Sequence, residues 1–140
     1  MESSSPLRLE LYAPLKYTET PGLDPFCCVR PGDEEGAQLL FCFELDAGQS
    51  ERIDPENDSF PGKPVFSGSG TGKRGDVSLP AGRYLFTQNR RLLNREECIH
   101  TAIELQKDGL WERLRLGNLL YIRYLFEDGS PVTQFFRPLM

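Results

Sequence analysis

The sequence is short of most of what builds a conventional catalytic centre. It has one histidine, one tryptophan and two methionines in 140 residues. Imidazole chemistry must therefore pass through His100. That residue falls on the polar side of a predicted helix, near Glu97 and Glu104, with Cys98 pointing across the helix. This is the setting of a solvated histidine, not of a thiolate–imidazole pair. The cysteines (Cys27, Cys28, Cys42 and Cys98) contain no C-x-x-C pair, so the spacing of common zinc sites is missing. The acids sit in turns and on the helix face, which gives no support to paired-carboxylate hydrolysis. No nucleophile elbow is present, no metal or cofactor is called for, and an enzyme is the least supported class.

Long apolar runs are absent as well. Nothing approaches the roughly 18 residues of a membrane span. Residues 1–6 have neither a basic start nor an apolar stretch, so no secretory leader is expected. A cytoplasmic protein with free, mostly buried thiols follows. A basic excess is lacking too: the formal net charge is −5. Residues 1–82 carry −7 and residues 83–140 carry +2. An acidic chain repels a phosphate backbone, so neither nucleic acid nor membrane is an expected partner. Arg90, Arg91 and Arg95, with Arg113 and Arg115 further on, read as a solvated helix face or as a local anion patch. The stretch Gly68-Ser69-Gly70-Thr71-Gly72-Lys73-Arg74 invites a phosphate-loop reading and fails it. Ser67 stands where a glycine is needed, Arg74 where Ser or Thr is needed, and an extended segment follows instead of a helix. It reads as flexible loop.

What is present is enough for a single domain over residues 1–140, with 39% hydrophobic residues to fill one core. Leu7, Leu9 and Leu11 alternate with polar residues, the pattern of a half-buried strand that Pro14 ends. Phe26–Val29 is a short strand candidate. In a second run, Leu39, Phe41, Phe43 and Leu45 alternate with Leu40, Cys42 and Glu44, and the two read as a hairpin across an acidic turn. From Pro55 to Gly82, ten of 28 residues are Gly or Pro, which predicts a long loop over about 46–76. A strand, Arg83 to Gln88, then precedes a helix over about 94–108. Asn94 and Glu97 form a capping box there, and the buried stripe is Cys98, Ile99, Ala102, Ile103 and Leu105 or Gln106. Gly109 reads as its stop, with Leu110 to Leu116 adding a turn or two that docks Leu110, Trp111 and Leu114. The fold class expected is α+β: a twisted antiparallel sheet of about six strands with that one main helix packed on one face.

Asp128-Gly129 between two apolar runs predicts a closing hairpin, and a two-residue turn fixes its register. Tyr121 then opposes Phe136, Arg123 opposes Gln134 and Leu125 opposes Val132 on one face. Ile122, Tyr124, Thr133 and Phe135 share the other face, which packs on the helix with Leu120 and Phe126. The first face reads as a ligand cleft or as a partly wet outer sheet face. In the cleft reading Tyr121, Arg123, Gln134 and Phe136 bind the ligand. A mid-strand arginine needs water, an acid or a ligand, and its planar donor fork favours an anionic or carboxylate-bearing one.

The strand, helix, strand, strand order from Leu79 to Arg137 resembles the SHS2 module. Its Leu79-Pro80-Ala81-Gly82-Arg83-Tyr84 entry is similar to that of GyrI-like ligand-binding domains. The resemblance implies a concave sheet, built from two such modules, that holds small and often cationic molecules. The strand from Val132 to Arg137 has no acid, where that family often places a glutamate. Two functions are carried forward: a non-enzymatic small-molecule-binding or sensor domain, and a protein-interaction or structural accessory domain of a cytosolic complex. The partner is accordingly a small molecule or a protein, and the chain a monomer or homodimer. Intact mass without reductant should show four free thiols; two intramolecular disulfides would overturn the cytosolic placement.

Overall fold

The computed structural model describes residues 7–20, 38–45, 62–91, 93, 95–111, 113, 115–127 and 130–139. The elements are β1 (Leu7–Leu11), β2 (Leu15–Glu19), β3 (Gln38–Leu45), β4 (Gly62–Gly72), β5 (Val77–Leu79), β6 (Gly82–Asn89), α1 (Arg95–Trp111), β7 (Leu119–Glu127) and β8 (Ser130–Pro138). The strands form one eight-stranded sheet in the order β1-β6-β8-β7-β3-β4-β2-β5, with every strand pairing antiparallel.

Two short links bend this sheet. Pro80 and Ala81 alone join β5, at one edge, to β6, one strand in from the other edge. In a flat sheet those strands lie six intervals apart, about 29 Å at about 4.8 Å per strand. The three Cα steps from Leu79 to Gly82 span at most about 11 Å. Tyr12, Ala13 and Pro14 make the same demand between β1 and β2. The sheet must therefore curl into a half-barrel whose edges meet at the end where Leu11 stands beside Gly82 and Leu15 beside Leu79. Among the described residues no short link of this kind ties the edges at the other, open end. A register shift between Cys42 and Phe43, where Phe43 faces Pro64, adds local twist and leaves Val65 outside the ladder, exposed.

Alternation along each strand supplies two cores. On the outer face Leu39, Phe41, Phe43, Leu85, Leu120, Ile122, Tyr124 and Phe135 join Cys98, Ala102 and Leu105 of α1. On the inner face Tyr17, Leu40, Cys42, Leu79, Tyr84, Tyr121 and Phe136 form the second core, with Leu9, Leu11, Leu15, Val77 and Phe86 packed on it. Contributions from β1 and β5 to one cluster are the packing signature of the curl. Tyr84 stacks edge-to-face on Tyr121 and Phe136 at 6.2 and 5.8 Å, and its hydroxyl donates to the Pro80 carbonyl. The pinched end is thus plugged by aromatic rings and leucines.

Several expectations need correction. Among the described residues the class is mostly β, with eight strands and one short helix, and not an α+β sheet of about six strands under a main helix. The additional strands come from segments whose composition hides them. Lys16 and Thr18 flank the buried Tyr17 in β2, a five-residue strand lying just after Pro14. β4 occupies residues 62–72 of the expected loop, while residues 46–61 lie outside the described ones. Both edges of β3 are taken, by β7 and β4, and Phe26–Val29, its expected hairpin partner, lies outside the described residues. Gly109 is no helix stop: it lies inside α1 and is buried. A Cβ there would stand 2.7 Å from Leu116 Cδ1 and 3.3 Å from Leu85 Cδ2, so the glycine lets the helix approach the sheet. Asn94 and the side chains of Leu110, Trp111, Leu114 and Phe126 are not among those described.

Gly109→Ala should lower stability by about 1 kcal/mol in urea denaturation, although the same change in an exposed helix stabilises by about 1 kcal/mol. A stabilised variant would contradict this packing. Burial also raises acidic groups: the Cys42 and Cys98 thiols rise from 9.0 to about 12, and the Tyr84 phenol from 10.0 to about 12. A raised folded-state value means stability is intact below the ordinary value and is lost as pH climbs toward the folded one. The urea midpoint should hold up to about pH 9 and then fall steadily toward pH 12. A midpoint unchanged across that window would mean these groups are not buried.

Candidate functional site

One step above the aromatic plug, toward the open end, the inner face turns polar. Gln88 of β6, Gln134 of β8, Arg123 of β7, Gln38 of β3 and Tyr17 of β2 form a continuous row across five strands. Gln134 Nε2 donates to Gln88 Oε1 at 3.1 Å, and Arg123 Nη1 donates to Gln134 Oε1 at 2.9 Å. On its other side Arg123 clasps Gln38 Oε1 through Nη2 (2.6 Å) and Nε (3.1 Å). Nε also donates to the Tyr17 hydroxyl at 3.0 Å, and that hydroxyl in turn donates to Gln38 Oε1 at 2.6 Å.

Local sequence explains how such distant strands meet. The hairpin register puts Arg123 opposite Gln134, as a two-residue turn at 128–129 demands. The next pairing puts Gln134 opposite Gln88. Tyr17 lies three strands from Arg123, about 14 Å across a flat sheet. The gap is bridged over β4, where Gly68, Gly70 and Gly72 alternate at the period of a strand and leave one face bare. A Cβ on Gly68 would stand 2.9 Å from Val77 Cγ2 and 3.0 Å from Tyr17 Cβ. A Cβ on Gly72 would stand 3.5 Å from both the Tyr17 hydroxyl and Gln38 Oε1. The glycines are therefore the floor on which the Tyr17 ring lies, and not a flexible or phosphate-cradling loop.

The electrostatics of the row are one-sided. Arg123 is half-buried, and its partners are all neutral; among the described residues no carboxylate lies within ion-pair distance of it. Each of its three nitrogens makes a bond, yet a guanidinium has five N–H groups, so two remain. Gln38 Nε2 has no protein partner among the described residues either, and Gln38 is half-buried. Burial pushes the Tyr17 phenol up, and the adjacent Arg123 charge and hydrogen bond pull it partly back. The row thus keeps spare donor capacity beside a positive charge.

Of the residues singled out from sequence, Arg123 and Gln134 meet directly, with Gln134 8% exposed. Tyr121 and Phe136 lie beneath them as part of the aromatic plug, at 4% and 1% exposure, so any contact they make with a ligand is as floor. Tyr17, Gln38 and Gln88 were not foreseen. The signal for them was the strand-period glycines, which mark a face cleared for a large ring from elsewhere. Other candidates stay apart: His100 is exposed on α1, Arg91 pairs with Glu97, and among the described residues no three metal-ligating side chains gather. Cys42 and Cys98 are free and buried on opposite faces of the sheet. No helix among the described residues is long and apolar enough to cross a membrane.

Gln38→Leu strips Arg123 of two of its acceptor contacts and should cost about 1–3 kcal/mol in urea denaturation. A cost below about 0.5 kcal/mol would mean the row does not hold Arg123 in place. No protein-family model, curated protein or solved structure matches this chain.

Proposed function

We propose that the domain binds a small molecule at the open end of its half-barrel, as a sensor or carrier and without catalysing a reaction on it. The observation that carries this reading is Arg123: a half-buried cation on a concave face whose partners among the described residues are all neutral and leave N–H donors to spare. A purely structural arginine in such a setting is ordinarily matched by a carboxylate, since an uncompensated charge is costly away from water. The neighbouring row pre-orients the guanidinium, which reduces the ordering cost of capturing a ligand. The free Cys42 and Cys98 thiols suit a reducing cytosol.

A second reading has its own observation. Every guanidinium nitrogen already donates to the protein, tying β7 to β8, β3 and β2. On that basis Arg123 braces the curl, and the domain serves as an interaction or structural accessory module of a larger complex.

Native mass spectrometry and thermal melts of wild type and Arg123→Ala separate the two. The binding reading expects a co-purifying or added small molecule that Arg123→Ala loses by at least about tenfold in affinity while its melting cooperativity is retained. A variant that unfolds while the wild type carries no ligand would establish the brace instead.

A further inference from the structure

We infer that the ligand is an amphipathic monoanion: a carboxylate head on the spare donors of Arg123 and Gln38, with an apolar body against Phe86 and Val77. This inference rests on the small-molecule reading above and narrows it.

The head group follows from counting both sides of each hydrogen bond. Gln38 Oε1 accepts from Tyr17 and twice from Arg123. Gln134 Oε1 accepts from Arg123, Gln88 Oε1 accepts from Gln134, and the Tyr17 oxygen accepts from Arg123 Nε. Each acceptor oxygen of the row thus already takes at least one bond, whereas two guanidinium N–H groups and the Gln38 amide N–H groups have no partner among the described residues. A neutral donor finds at most one remaining lone pair on an oxygen of the row and leaves the guanidinium N–H groups unused, and a cation meets the Arg123 charge. A group with two acceptor oxygens and a negative charge fits both conditions, and it matches the planar fork of arginine. Arg123 is the one charged member of the row, so a single negative charge is neutralised and a second is not.

The body follows from what borders the row on the same face. Phe86 is two residues before Gln88 on β6, on the inner face, and stays partly exposed while packing on Phe136 at 5.0 Å. Val77 stands opposite Tyr17 in the β2–β5 pairing and is also partly exposed on that face. At the pinched end Leu79, Tyr84 and Tyr121 are fully packed, and Leu11 and Leu15 stay partly exposed. Partly exposed apolar side chains therefore border both ends of the row, Phe86 beside Gln88 and Val77 beside Tyr17. Burying an alkyl or aryl body there adds about 25 cal/mol for each Å² removed from water.

Titrations of the full-length chain followed by backbone and arginine side-chain NMR test this with matched probes: hexanoate, acetate, inorganic phosphate, hexylamine and hexanol. Hexanoate should shift the signals of Arg123, Gln38, Phe86 and Val77 and bind at least about tenfold more tightly than acetate, hexanol or phosphate. Arg123→Lys keeps the charge and loses the fork, and should weaken hexanoate about tenfold. Phe86→Ser should weaken hexanoate and leave acetate unchanged. Hexylamine or hexanol binding at these residues as well as hexanoate does would overturn the anion inference and leave the small-molecule reading standing. Phosphate binding more tightly than hexanoate would overturn the amphipathic carboxylate in the same way. If no probe perturbs these residues, both the inference and the reading beneath it fall.

Discussion

The structure depends on two chain links that are too short for a flat sheet. Pro80-Ala81 and Tyr12-Ala13-Pro14 each connect strands from opposite sides of an eight-stranded array. Chain connectivity, more than any single contact, forces the edges together at one end. Once they meet, side chains on the inner face at that end pack against one another. The alternation of Leu9, Leu11, Leu15, Leu79, Tyr84, Tyr121 and Phe136 then becomes a plug. Because the links act at one end only, they make no such demand at the other, where the inner face carries polar groups and, one step further on, the buried pair Leu125 and Val132.

The polar row is the consequence. A cation placed on the inner face of a curled sheet needs acceptors from several strands, and the curl supplies them from β8, β3 and β2. The bare glycine face of β4 is what lets Tyr17 reach across. Outside the curl, α1 and the second alternating set cover the convex side, with Gly109 allowing close approach. Both cores are therefore products of the same strands: Leu39, Phe41 and Phe43 face one way while Leu40 and Cys42 face the other. That double burial explains the near-continuous apolar run of β3, since a strand covered on both sides has no polar face to show.

Much of the second half was legible in the residues themselves. The closing hairpin register, the assignment of its two faces and most of the buried stripe of α1 all follow from period and turn chemistry, and the structure reproduces them. Arg123 and Gln134 were found because register is a local property. The remainder was hidden for physical reasons. β2 is five residues long and its alternation is only two apolar side chains, Leu15 and Tyr17, just after Pro14, too short a run to stand out. β4 gains its stability from backbone ladders on both sides and from the rings laid over it, so its own side chains carry almost no strand signal. Gln38 and Tyr17 lie 85 and 106 residues from Arg123, and nothing short of the sheet order brings them together. Gly109 illustrates a related failure: a glycine after helical periodicity reads as a terminus, and only packing against Leu116 and Leu85 reveals it as a point of contact.

The central claim is that the curl carries Tyr17 of β2 onto Arg123 of β7. A double-mutant cycle combining Tyr17→Phe with Arg123→Met, read by urea denaturation, tests it most directly. The account predicts a coupling energy of about 0.5–3 kcal/mol, as expected for two groups within one hydrogen-bonded network. Additive effects, with coupling indistinguishable from zero, would mean that these strands do not meet across the sheet and would remove the basis of the site.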